Sequence, residues 1–157
     1  MDPAVLVAAA VFALLLGSVW TDLRTRTIPD AIPIALCALG LVAAWRRWHE
    51  VSFAQVALGL AIGLLIGFIL FYAGAMGGGD AKLCAGLGAV CGWSQLLEVL
   101  FATALVGGVL AFWAKRRGQE SLAYAPAFAG GYLATLGIAW TLGPCAGLWD
   151  LLTGGCR

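Results

Sequence analysis

The sequence predicts an all-α fold, a polytopic bundle of about six transmembrane helices forming one domain over residues 1–157. Three observations predict it. Apolar residues make up 62% of the chain and charged residues only 11%, with a mean hydropathy of +0.97, against roughly 45–50% and 25% in soluble domains. A chain of this length cannot hide so large an apolar excess in one core, so lipid must solvate much of it. The 22 glycines follow no collagen-like period and lie inside apolar runs, as expected where membrane helices approach closely through small residues. Charges, prolines and glycine clusters interrupt the apolar runs at helix-length intervals.

The interruptions define the elements in order. The first span covers residues 3–21. Its Met1-Asp2-Pro3 start has no basic region and no small-x-small cleavage site follows it, so it reads as a retained helix rather than a signal peptide. The second, 31–45, is short, with Pro33 in the first turn, where a missing N–H costs little. Arg46, Arg47, Trp48 and His49 then mark an interface. The third, 53–75, ends in a glycine-rich turn before Asp80. Residues 81–115 would make a helix of about 50 Å, too long for one crossing. A turn at Gly92-Trp93-Ser94-Gln95 divides them into spans 81–91 and 96–114, and a last span covers 124–142. The tail from Pro144 to Arg157 is expected at the interface through Trp149.

Charge bias orients this arrangement. With the N-terminus outside, the cytoplasmic loops hold Arg24, Arg26, Lys82, Lys115, Arg116 and Arg117, against Arg46, Arg47 and Arg157 opposite, which favours N-out and C-out. Merging the fourth and fifth spans would place the Lys115-Arg116-Arg117 cluster on the wrong side. A net charge of +1 gives no basic field, so nucleic acid is not an expected partner. The five cysteines form no C-x-x-C pair and no His/Cys cluster, so neither a metal site nor a disulfide scaffold is expected and no cofactor is implied; Cys145 and Cys156 could pair only if their shared tail faces an oxidising compartment.

The carboxylates narrow the function. Asp2, Glu50, Glu120 and Asp150 lie in termini or loops. Asp22 closes the first span, Asp30 opens the second, Asp80 opens the fourth, and Glu98 falls in the first turn of the fifth, where a carboxylate suits the helix dipole. Ionisable groups at membrane depth are costly and point to function. Parity places Asp22 and Asp80 on one face, since the chain crosses out and back between them. Two converging carboxylates share a proton: one takes a proton from water while its protonated partner polarises a scissile carbonyl, the chemistry of an aspartic protease. Gly77, Gly78 and Gly79 before Asp80 offer a hinge and close backbone access for a peptide. The structural alternatives are an N-capping Asp80 and an Asp22 paired with Arg24 or Arg26.

At these residues the sequence resembles the type IV prepilin peptidases, membrane aspartic proteases of the Gly-x-Gly-Asp class. Asp22-Leu23-Arg24-Thr25-Arg26-Thr27-Ile28-Pro29-Asp30 looks like the family's first block, and Gly77-Gly78-Gly79-Asp80-Ala81-Lys82-Leu83 like its second. Tyr124-Ala125-Pro126-Ala127-Phe128-Ala129 is similar to the proline-containing entry to the last helix. The resemblance implies that Asp22 and Asp80 are the catalytic dyad, and that Pro29, Asp30 and Pro126 are structural, with Asp30 an N-cap. It implies a prepilin substrate, cut at the cytoplasmic edge of a bacterial inner membrane between a basic leader and an apolar helix. Arg24, Arg26 and Lys82 would then meet an acidic residue of the pilin or a lipid phosphate, or serve as topology signals alone. The larger, bifunctional members carry a cytoplasmic segment with paired C-x-x-C motifs, so this chain resembles the short Flp/Tad-type peptidase, with N-methyltransferase activity not expected.

Two other functions compete. A small transporter or channel subunit would use the same aspartates for cation or proton binding, but the sequence shows no internal repeat with broken helices. A metal-dependent enzyme acting on lipid-linked phosphate would want clustered carboxylates, and no D-x-x-x-D or D-D pair flanks either motif. His49 and Trp20, Trp45, Trp93, Trp113, Trp140 and Trp149 read as interface residues near span ends.

Overall fold

The computed structural model describes residues 3–48, 51–117 and 124–142. Among them run five helices and no strand: α1 (Pro3–Thr25), α2 (Ala31–Arg46), α3 (Phe53–Tyr72), α4 (Gly78–Arg116) and α5 (Ala125–Leu142). Asp2, His49, Glu50, Glu120, Cys145, Trp149, Asp150 and Cys156 lie outside the described residues.

Hydropathy locates the edge of an apolar run and not the end of a helix, and the boundaries differ accordingly. α1 continues past Asp22, which therefore lies in its last turns rather than closing it. Thr25 Oγ1 donates to the Thr21 carbonyl (2.8 Å) and the Arg26 N–H to the Asp22 carbonyl (3.0 Å) before Arg26, at φ 55°, turns left-handed and ends the helix. α2 carries Pro33 buried in its first turn. It closes on a left-handed Arg47, whose N–H donates to the Ala44 carbonyl at 3.3 Å. α3 opens with a capping box: Ser52 Oγ accepts from the Gln55 N–H (3.3 Å) and Gln55 Oε1 from the Ser52 N–H (2.8 Å). It stops at Tyr72, short of residue 75, because Gly74 takes φ 70°.

α4 replaces the two separate helices expected over 81–91 and 96–114. It is helical from Gly78 to Arg116 with one break, at Gly92, where φ is 73° and ψ 172°. That backbone region is open to glycine alone, so a single residue does what the expected four-residue turn would do. The break reverses the chain. The first arm, 78–91, is antiparallel to α3, since Gly59 meets Gly88, Gly63 meets Cys84 and Gly67 meets Ala81. Leu96, just past the break, reaches back to Gly88. The second arm, 93–116, runs antiparallel to α5, with Thr103 against Gly131 and Ala127 against Gly107.

The first arm is the centre of the bundle. Every residue from Leu83 to Gly92 is buried, with α2, α3 and α5 packed around it. At about 1.5 Å per residue the arm spans roughly 21 Å, less than the bilayer core, but its flanks are protein and not lipid. Residues such as Trp45, Val109 and Ile34 instead leave large apolar surface outward, exposed by 79%, 70% and 66%. α1, α3 and α4 are each long and apolar enough to cross a membrane, whereas α2 and α5 are shorter apolar helices. Lipid tails are as apolar as these side chains, so the contact between α3 and the first arm rests on close packing. A Cβ on Gly67 would lie 2.8 Å from the Ala81 Cα, and one on Gly59 would collide with the Gly88 carbonyl.

Gly59→Val is therefore expected to destabilise the fold by about 1–3 kcal/mol or more, through overpacking against backbone. Gly108→Ala, where nothing lies within 4 Å of the added methyl, is expected to be neutral. Thermal unfolding of the two variants in detergent checks the difference.

Candidate active site

α1 presents one buried stripe, Val7, Val11, Leu15, Ser18 and Asp22, at spacings of three and four residues. Asp22 is thus carried inward by the same periodicity that buries the valines. Its side chain has 8% of its surface exposed. Arg24, a candidate to pair with it, lies over the Trp20 ring at 4.1 Å. Asp22 Oδ2 accepts the backbone N–H of Ala125, at the start of α5, at 3.3 Å.

Asp80 is the third helical residue of α4, not its N-cap, which is Gly77. Asp80 Oδ2 reaches back to accept the Gly77 N–H at 3.2 Å, the acidic half of a capping box. Its other oxygen, Oδ1, is buried without a hydrogen-bond partner among the described residues. Such an atom is costly unless function uses it. Asp22 and Asp80 share one end of the bundle, where α1 closes and α4 and α5 open.

The glycines before Asp80 are mostly helix rather than turn. Gly78 and Gly79 are already helical, and none of Gly77, Gly78 and Gly79 takes a positive φ. Gly79 serves close packing: a Cβ there would lie 3.1 Å from Ile28 Cβ. Ile28 sits in the short link between α1 and α2, so this contact docks the link onto the start of α4. A second contact does the same, an ion pair of 2.7 Å from Lys82 Nζ to Asp30 Oδ1.

That pair corrects the reading of Asp30. It stands at the N-cap position of α2, but with φ −59° and ψ −19° its backbone is already helical, and its side chain makes no capping bond. The carboxylate turns to Lys82 instead, occupying the ammonium group expected to face a substrate or phosphate. The Pro29 carbonyl accepts the Ile32 N–H (3.1 Å), and Pro126 lies in the first turn of α5, as a helix start favours. Arg24 and Arg26 are exposed beside the site. Glu98 lies at the opposite end, two turns past the break at Gly92. Cys37, Cys84 and Cys91 are free thiols in the bundle. Sequence reasoning missed Ala125 and Ile28. No motif marks a backbone N–H or one aliphatic contact, although the apolar spacing that ends at Asp22 did signal an inward-facing carboxylate.

An apolar-surfaced helical bundle with two buried aspartates at one end is the class that fold and site define. The chain belongs to the type IV leader peptidase family, whose model matches residues 8–112. Three similar proteins carry the name prepilin leader peptidase/N-methyltransferase. That of Burkholderia pseudomallei strain 1026b is 32% identical over 148 residues, covering 85% of this chain and 46% of the relative. The Xanthomonas campestris protein is 32% identical over 124 residues (74% and 42%), and that of Escherichia coli K12 31% over 129 (76% and 57%). The chain thus spans about half the length of the curated relatives it matches. No solved structure matches it.

The Lys82–Asp30 pair is exposed by 54% and 64%, so its coupling in a double-mutant cycle of Lys82→Ala and Asp30→Ala is expected below about 1 kcal/mol of unfolding free energy. Chemical denaturation of the four proteins in detergent measures it.

Proposed function

We propose that the protein is a membrane aspartic endopeptidase that removes the leader peptide of type IV, Flp-type prepilins at the cytoplasmic face of a bacterial inner membrane. The observation that carries this reading is the burial of two carboxylates, held differently, at one end of the bundle. Asp22 is tied to α5 by a backbone N–H, and Asp80 has one buried oxygen left without a partner. Family membership and the relatives' names supply the substrate class.

The chemistry follows from the pair. One aspartate, ionised, takes a proton from a water molecule as its oxygen attacks the scissile carbonyl carbon. The other, protonated, donates to the carbonyl oxygen, and a gem-diol forms. Collapse of that intermediate breaks the C–N bond as the leaving amine takes a proton from the dyad, leaving two peptides. Burial at a helix-bundle end excludes competing water and strengthens these interactions.

Topology supports the cytoplasmic assignment. The reversal at Gly92 returns Lys115, Arg116 and Arg117 toward the end that holds the aspartates, beside Arg24, Arg26 and Lys82. Six cations then share the active-site face, as the positive-inside rule favours for a six-crossing, N-out chain. The site would meet a prepilin where its basic leader gives way to its apolar helix. Methyl transfer is left out of the proposal: the link from α1 to α2 is short, and the five cysteines form no C-x-x-C pair.

Co-expression with a Flp-type prepilin tests this. Asp22→Ala and Asp80→Ala are each expected to lower leader removal by at least about 100-fold, the scale of lost acid–base catalysis, while Asp30→Ala retains cleavage and a chelator changes nothing. Normal processing by Asp80→Ala would overturn the dyad, and inhibition by chelator would point to a metal enzyme.

A further inference from the structure

We propose that the backbone N–H of Ala125 is a positioning group for Asp22, so that α5 is part of the working site and not merely a helix packed beside it. This rests on the reading of Asp22 as catalytic.

Hydrogen-bond bookkeeping at the start of α5 leads there. The first N–H groups of a helix have no intrahelical acceptor and need one elsewhere. The Tyr124 carbonyl takes the N–H groups of Ala127 (2.9 Å) and Phe128 (3.2 Å), and Pro126 has none to offer. The Ala125 N–H remains, and it is met by Asp22 Oδ2 across a sequence separation of 103 residues. Ala125 is fully buried, so water does not replace that acceptor.

The donor is held firmly. Phe128, one turn on, is fully buried in the core, and Gly131 brings α5 against the backbone of Thr103. Asp22 belongs to a separate helix that packs on α5. One bond to Oδ2 therefore fixes the rotation of the carboxylate about its own helix. The positive end of the α5 dipole also favours an anionic carboxylate at this place.

The test compares two substitutions in the full chain, purified in detergent, with a synthetic peptide comprising a Flp-type leader and the first residues of the mature pilin. Ala125→Pro deletes the N–H, and proline suits a first helical position. Ala125→Gly keeps the N–H and removes the methyl. Ala125→Pro is expected to lower kcat by about 10- to 100-fold, the scale of a small misplacement of a catalytic group, with KM within about twofold, while Ala125→Gly stays near wild type. Wild-type kcat for Ala125→Pro, an equal loss in Ala125→Gly, or a change confined to KM would overturn the proposal.

Amide hydrogen exchange serves should Ala125→Pro fail to fold. The Ala125 amide is expected to exchange at least about tenfold faster in Asp22→Ala than in wild type, and an unchanged rate would overturn the proposal. Asp22→Ala also separates the two readings. An inactive Asp22→Ala beside a fully active Ala125→Pro refutes the positioning role alone, whereas an active Asp22→Ala refutes the catalytic assignment beneath it.

Discussion

The close approach of α3 to the first arm of α4 is the constraint on which the rest of the structure depends. In lipid, association of helices gains little from excluding solvent, so contact between backbones must be dense enough to hold by dispersion and weak C–H···O bonds. Gly59, Gly63 and Gly67 make that density available on one face of α3, and Gly88, Cys84 and Ala81 answer it on the arm. With a side chain at any of the three glycines the helices would part by ångströms. The arm would lose its seat, and Asp80, at its foot, would lose its position relative to α1.

The fold was largely legible in the sequence because apolar runs in a membrane protein are long and their interruptions few. α1, α2, α3 and α5 were found to within a few residues, and the need to divide residues 81–115 followed from length alone. The place of division was legible too, since the expected turn begins at Gly92, but its one-residue form was not. Gly92 is one glycine among 22, and nothing in its neighbourhood distinguishes a residue at φ 73° from one that merely spares a side chain. The same ambiguity attends Gly77, Gly78 and Gly79, whose composition suggests a turn while Gly77 is a helix cap and Gly78 and Gly79 are helical. Composition records that a side chain is missing, and only packing tells whether conformation or proximity required it.

The site divides along a similar line. Carboxylates announce themselves in an apolar chain, and parity was enough to bring Asp22 and Asp80 to one end. Their partners were invisible because most are backbone or aliphatic: the N–H groups of Ala125 and Gly77, and the Ile28 side chain against Gly79. Lys82 was visible, but its acceptor was not, since Asp30 lies 52 residues away and had a plausible local use as a cap. Long-range pairing displaced the local one because a residue with helical φ and ψ aims its side chain away from the N–H groups that a cap would serve.

The complete burial of residues 83–92 has a consequence for how the protein meets different membranes. A helix that touches lipid must match the bilayer's thickness by tilting or by deforming it. Residues 83–92 touch none, so that adjustment falls to α1, α3 and the outward faces of the other helices. The scaffold under Asp80 is in this sense insulated from lipid composition, and the protein can conform to its membrane at the periphery while its centre keeps one geometry.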